Sequence, residues 1–276
     1  MKLSFLSALY MRYPLEKAFE AAARQGYDGV EVWGGRPHAY GPDVDERRAE
    51  EIRGYAEKYN LEIPMFCAEL LSYPYNIAST DAKERKETTE YLKQSLDAAA
   101  RIGAPGMLIT VGHAGYGTNR KDNFRNIVGV MKELAEHAQK REVDIVVEPL
   151  TVQESNTIVF LDDVLELFDA VGSDRVKSML DTVMPMTNWE TYTEYFEKLG
   201  VGRKLAYIHL EDSSGVDQYH KPIGTGILDF DEIFALIRKY GYDGWISLEL
   251  ISSYIREPEM ASGMEIRKVR RFMNGC

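Results

Sequence analysis

The chain has 276 residues, 45 % of them apolar and 11 % aromatic, enough to bury the core of one large α/β domain or two small ones, and a formal net charge of −11. That acidic balance excludes a broad phosphate-binding surface, so nucleic acid is not an expected partner. No apolar run approaches the roughly 20 residues of a membrane span, and the opening MKLSFLSALYMRY lacks the apolar stretch and cleavage site of a signal peptide. The expectation is a cytoplasmic protein with no membrane partner. Two cysteines, Cys67 and Cys276, offer neither a disulfide framework nor paired zinc-ligand spacing.

Along the chain, β-rich runs alternate with segments of helical period. LSFLSAL (3–9) precedes LEKAFEAAARQG (15–26), YDGVEVW (27–33) precedes ERRAEEIRGYAEKYN (46–60), and EIPMFCAEL (62–70) precedes ERKETTEYLKQSLDAAARIG (84–103). GMLITVG (106–112) leads to NIVGVMKELAEHAQKR (126–141), DIVVEP (144–149) to DDVLELFDAVG (162–172), and VKSMLD (176–181) to TYTEYFEKLG (191–200). LAYIHLED (205–212) is followed by DEIFALIRKYG (231–241), and WISLEL (245–250) by a last helix near 256–273. Several helical segments stop at glycine, as helix C-termini do. Eight such units, with several strands apolar on both faces, predict an α/β fold of the closed (β/α)8 TIM-barrel type, with a single domain over 1–276. An open doubly wound sheet is the alternative, because strand order is not written in one sequence. The glycines of GTG at 224–226 read as a turn.

A barrel places its working side chains at the C-terminal ends of its strands. The fifth strand ends at Glu148, the sixth at Asp181, the seventh carries His209 and the eighth Glu249. Singly, each has an ordinary role as a capping, loop or rim residue. Together, on four consecutive strands, they set three carboxylates and an imidazole round one side of the barrel mouth. Carboxylates so clustered repel one another, and a divalent cation removes the conflict. The set suits one Mn2+, Co2+, Ni2+, Zn2+ or Mg2+ ion without choosing among them.

In order and spacing, EPLTVQESN, MLDT, IHLEDS and SLEL resemble the sugar phosphate isomerase/epimerase superfamily of xylose isomerase-like barrels. GYDGVEVWGGRPHAY, SYPYN and HAGY extend the resemblance over nearly the whole chain, toward members that act on Amadori-type sugar amines. The resemblance implies a metal-dependent sugar epimerase that takes a small sugar or sugar-amine substrate, and a possible homo-oligomer. It implies that Glu148, Asp181, His209 and Glu249 bind the metal, that Glu148 and Glu249 are also the catalytic pair, and that Glu154 hydrogen-bonds the substrate near the reacting carbonyl. Elementary chemistry agrees with a pair. Inverting a carbon beside a ketone needs one group to remove the proton and another to return it on the opposite face, while a cation chelated by the C2 and C3 oxygens stabilises the enediolate between.

Further substrate-contact candidates are His113 at the end of the fourth strand, Trp33 after the second, and Tyr75 beside Asn76. Glu31 and Glu69, also near strand ends, are weaker candidates for orienting the pocket. Met184 stands where many ketose 3-epimerases have a histidine, and the arginine expected after HLEDS is missing, with His220 the nearest polar candidate. Both departures disfavour a free hexose and fit a substrate with an amino-acid tail, whose ammonium Asp217 could meet. The competing expectations are another ketose 3-epimerase, a sugar isomerase or an inosose-type dehydratase of the same superfamily. An endonuclease-like hydrolase with several zinc ions and a non-catalytic barrel are the more distant ones.

Overall fold

The computed structural model describes residues 1–250 and 252–274. Its elements alternate as the periodicity predicts: β1 (Lys2–Phe5), α1 (Leu15–Gln25), β2 (Val32–Gly34), α2 (Glu46–Tyr59), β3 (Phe66–Ala68), α3 (Ala82–Ile102), β4 (Gly106–Thr110), α4 (Arg120–Arg141) and β5 (Asp144–Glu148). Then come α5 (Leu161–Val171), β6 (Val176–Asp181), the short α6 (Val183–Asn188) and α7 (Tyr192–Glu194), β7 (Leu205–His209), α8 (Phe230–Lys239), β8 (Trp245–Leu248) and α9 (Pro258–Asn274). Helices start where a short polar side chain accepts from the first free backbone N–H groups: Asp45 from Arg48, Asp81 from Lys83, Asn119 from Lys121 and Asp122, and Asp229 from Glu232. They stop at Gly26, Gly103 and Gly172, whose φ of 85°, 81° and 69° lies where a Cβ is disfavoured.

All neighbouring strands pair in parallel, in the order β1-β8-β7-β6-β5-β4-β3-β2. The circle closes between β1 and β2 through a single parallel bridge, Leu6 to Glu31, in which the Ser7 N–H donates to the Glu31 carbonyl and the Glu31 N–H to the Phe5 carbonyl. This closure decides for the barrel and against the open sheet. The outward-facing strand residues Phe5, Met107, Ile109, Ile145, Val147, Leu180, Ile208 and Ile246 pack on the helices in one continuous core. The inward-facing ones form a small separate layer of Met65, Leu108, Val146, Met179 and Tyr207 that fills the lumen.

Several boundaries differ from the sequence reading. The first predicted strand stops at Phe5 and turns into a 3-10 helix, Ser7–Tyr10. The runs at 27–33 and 62–70 keep only three ladder residues each, and Pro64, with no N–H to give, interrupts the second. Caps at Asp81 and Asn119 start α3 and α4 two and six residues earlier than the apolar period alone suggests. The helix expected over 191–200 is one α-turn, α7, that loosens into a π-helical stretch, Tyr195–Leu199. The short helix α6, over VMPMTN, was not expected.

Candidate metal centre

Period two fixes the site. In a strand, alternate side chains face the same side, so the residue two beyond a lumen-filling one faces the lumen again, one layer nearer the C-terminal rim. Glu148 follows Val146 in this way, Asp181 follows Met179, and His209 follows Tyr207. Glu249 follows the buried Ser247. The strand ladder brings them together: Asp181 is the register partner of His209, which in turn pairs with Ser247. The four predicted metal residues each offer one ligand atom within 4.8 Å of all the others, and such a group could hold a metal ion.

Its hydrogen bonds leave candidate ligand atoms of His209, Asp181 and Glu249 without partners. His209, fully buried, sets its Nε2 at 3.0 and 3.2 Å from the two carboxylate oxygens of the equally buried Glu31. Nε2–H therefore donates to Glu31, and the Nδ1 lone pair faces the cluster. There Nδ1 lies 2.6 Å from Glu249 Oε2 and 3.8 Å from Glu148 Oε1, yet neither Nδ1 nor Glu249 Oε2 makes a hydrogen bond. Two lone pairs pointed at one point at that spacing repel until a proton or a cation lies between them. Asp181 uses Oδ1 to accept from the Val183 N–H at 2.7 Å, and its buried Oδ2 has no partner. A carboxylate holding the far nitrogen of an imidazole ligand is the usual support of a histidine–metal bond. The donor set fits a divalent cation.

Electrostatics agree. Burial and the neighbouring Glu249 push Glu148 well above the ordinary carboxylate range. Burial alone would depress His209, but Glu31 and Glu249 together raise it well above the usual histidine value. Burial would raise Asp181 too, yet His220 beside it holds the carboxyl below its ordinary value. Within the cluster, Glu148 and His209 are thus pushed toward their protonated forms and Asp181 away from its own.

A second group joins Asp181 and the expected His220 to a residue that was not foreseen, Glu211. Glu211, within the quoted HLEDS, is 1 % exposed; its Oε2 accepts from the Glu249 N–H at 3.2 Å and its Oε1 has no partner. Burial and Asp181 raise its pKa well above the ordinary range. It groups with Asp181 and His220, whose Nδ1–H donates to the Glu249 carbonyl at 2.9 Å while Nε2 stands 3.4 Å from Asp181 Oδ2. The available signal was parity: Glu211 follows His209 by two residues, as His209 follows Tyr207, although β7 itself ends at His209.

The centre opens on a cavity of ≈ 480 Å³ lined by Glu148, Asp181, Glu249, Glu154, His220, Met184, Leu71, Leu150, Gln218, Tyr219, Lys221 and Tyr254. Glu154 sits on its wall, its carboxylate accepting from the Thr151 hydroxyl at 2.8 Å, and burial raises its pKa although Thr151 opposes the shift. The other candidates lie elsewhere. Trp33 packs with Leu6 and Ala8, and its Nε1–H donates to Glu69 at 2.7 Å. The Tyr75 ring stacks on Tyr91 at 4.0 Å and its hydroxyl is bonded to that of Tyr40, so it builds the aromatic packing under the β3–α3 loop. His113 Nδ1 accepts from the Gly115 N–H at 2.8 Å, leaving a buried Nε2 with no partner. Asp217 accepts from the Tyr219 N–H within its own loop.

Three carboxylates and an imidazole at the mouth of a parallel (β/α)8 barrel define a class, and comparison with known proteins identifies it: residues 19–272 match the xylose isomerase-like TIM barrel family, to which the chain belongs. Over 99 % of its length it is 34 % identical to fructoselysine 3-epimerase of Escherichia coli O157:H7, covering 98 % of that protein. Its fold matches the apo structure of 3-keto-D-glucoside 4-epimerase from E. coli with a TM-score of 0.81, covering 98 % of this chain and 99 % of that one at 17 % identity. It also matches D-psicose 3-epimerase from Clostridium cellulolyticum H10 with D-tagatose, TM-score 0.80, 17 % identity, 99 % of both chains. The chain is an isomerase, a sugar epimerase of this superfamily. Among the described residues no helix is long and apolar enough to cross a membrane.

Proposed function

We propose that the protein is a divalent-metal-dependent 3-epimerase that interconverts fructoselysine with its C3 epimer, psicoselysine. The observation that carries the chemistry is the placement of Glu148 and Glu249, on strands that are not neighbours, at one cluster with Asp181 and His209 and on the wall of one cavity. The 34 % identity to a fructoselysine 3-epimerase along nearly the full chain supports the substrate.

When bound at the cluster, a divalent cation supplies Lewis-acid stabilisation for the negative charge that develops on the ketose oxygens. Glu148 and Glu249 reach the cluster from β5 and from the end of β8, so a sugar seated between them presents one face of C3 to each. One glutamate takes the C3 proton and the other returns a proton to the opposite face; the direction of reaction decides which does which. Asp181 and His209 hold the geometry, the former fixed by the Val183 N–H and the latter by Glu31. Glu154, held by Thr151, is placed to accept a hydrogen bond from the sugar beside the reacting carbonyl.

The test is isotope exchange. Protein loaded with Mn2+, Co2+ or Ni2+ and incubated with fructoselysine in heavy water is expected to place deuterium at C3. Label at C1 would make it an aldose–ketose isomerase, and no label with any of these metals would end the epimerase reading.

A further inference from the structure

The cavity wall beyond the metal centre carries Lys221 among several acids. Lys268, which reaches the same loop at Ile223, is fully engaged: its ammonium donates to the Ile223 carbonyl and to Glu265. Lys221, by contrast, forms no ion pair with any carboxylate of the described residues, although a strongly acidic protein offers many. Its position is not that of a mobile surface lysine. Lys221 and Asp212 exchange backbone hydrogen bonds of 2.8 Å in both directions. The buried Asp212 carboxylate in turn accepts from the N–H groups of Gly224, Gly226 and Leu228. Gly226 comes so close to Asp212 that a Cβ there would lie 2.3 Å from its Oδ1, so only glycine closes this turn. A held backbone thus sets Lys221, with no ion pair among the described residues, on the wall of a cavity that also offers the apolar surfaces of Leu71, Leu150, Met184 and Tyr254.

An apolar wall ending in a cation complements a methylene stem that ends in an anion. Fructoselysine offers that anion: the sugar lies at one end, four methylenes follow, and the lysine α-carbon at the other end carries a carboxylate beside its ammonium. We propose that Lys221 reads the α-carboxylate of the substrate's amino-acid tail, and so selects the free sugar–amino acid adduct over the same adduct inside a peptide chain, where that carboxylate is an amide. The inference rests on the epimerase reading above and adds to it the determinant of the tail.

The experiment compares C3 deuterium exchange on fructoselysine and on its α-carboxamide, which differ only in this charge, for the native protein and for Lys221→Met and Lys221→Arg. The native protein is expected to prefer the acid about tenfold in kcat/KM, as loss of one charge-assisted hydrogen bond predicts, with the difference in KM. In Lys221→Met the preference falls to about one, and Lys221→Arg restores most of it. Equal native rates on acid and amide, an undiminished preference in Lys221→Met, or an equal loss on both substrates would each overturn the role. So would a Lys221-dependent preference for a ketose 6-phosphate over fructoselysine, which would reassign the cation to a phosphate. Absence of exchange on both substrates with the native protein would instead defeat the epimerase reading itself.

Discussion

Glu31 allows a sharp test, because it touches the centre only through His209. Its carboxylate accepts from His209 Nε2 at 3.0 and 3.2 Å, and both side chains are fully buried. That contact fixes the imidazole tautomer and adds negative charge behind it, which makes Nδ1 a better ligand. Glu31→Gln keeps an oxygen that can accept from Nε2–H but removes the charge; Glu31→Leu removes both and leaves a buried N–H unpaired. Supporting carboxylates of this kind are worth about 10- to 100-fold in metal affinity. The expectation is therefore a loss of about tenfold for the glutamine variant and about 100-fold for the leucine variant, equivalent to about 1.4 and 2.8 kcal/mol. The leucine variant also loses about 1–3 kcal/mol of stability in the metal-free state through the unpaired donor. Mn2+ titration at pH 7.5, followed by electron paramagnetic resonance or calorimetry, reads the first effect, and thermal melts with chelator read the second. Affinities of both variants within twofold of the native protein would refute the assignment of His209 Nδ1 as a ligand.

Glu249→Gln is expected to reduce C3 exchange by at least about a thousandfold while the thermal transition persists, since it removes one of two proton-transfer groups; substantial residual exchange would mean that the pair is wrongly assigned. Without metal, the native state holds protons on Glu148 and Glu211 above the 4.5 at which an ordinary glutamate loses them, and on His209 and His220 above the 6.5 of an ordinary histidine. The folded form then binds more protons than the unfolded chain, so stability falls as pH rises. Melting temperature in chelator should drop from pH 5 to pH 8, and Mn2+ should flatten the drop; a rise across that range would refute the reading. Asp181 acts in the opposite sense, but only in acid, below the 3.8 of an ordinary aspartate. Asp212→Ala removes the acceptor of four N–H groups, those of Ser213, Gly224, Gly226 and Leu228. Hydrogen exchange over 221–228 should quicken and KM should rise, and unchanged exchange there would show that this loop holds itself.

How much of this was legible follows from where regular structure ends. Glu148, Asp181 and His209 are the last residues of the ladders in DIVVE, VKSMLD and LAYIH, so position at the strand end placed them. Glu249 lies one residue past β8 and still follows its parity. Farther from the strands the rule lapses. Glu211 still keeps the parity of His209, but Lys221 lies in the passage between β7 and α8, where the chain is turned by Asp212 and two glycines rather than by a ladder, and nothing in its spacing tells which way it faces. Trp33 and Tyr75 show the reverse case. Aromatic residues near strand ends suit a pocket wall, but here Glu69, Tyr40 and Tyr91 claim their polar and flat surfaces for packing. Several helix C-termini were readable from their glycines, but the starts of α3 and α4, set by the caps Asp81 and Asn119, were not; nor was the shrinkage of β2 and β3, which depends on how the barrel curves at its seam.

That seam has a consequence of its own. β1 and β2 share one bridge, and its second residue is Glu31, whose main chain stitches the two strands while its side chain crosses the lumen to His209 on β7. The same amino acid is thus a hinge pin on one side and a tie rod on the other. Sparse pairing is where local opening begins in a closed sheet, and any gaping of this joint drags Glu31 away from the imidazole. A cation held at His209 Nδ1 would strengthen this tie, so metal loading is expected to slow amide exchange at the β1–β2 seam.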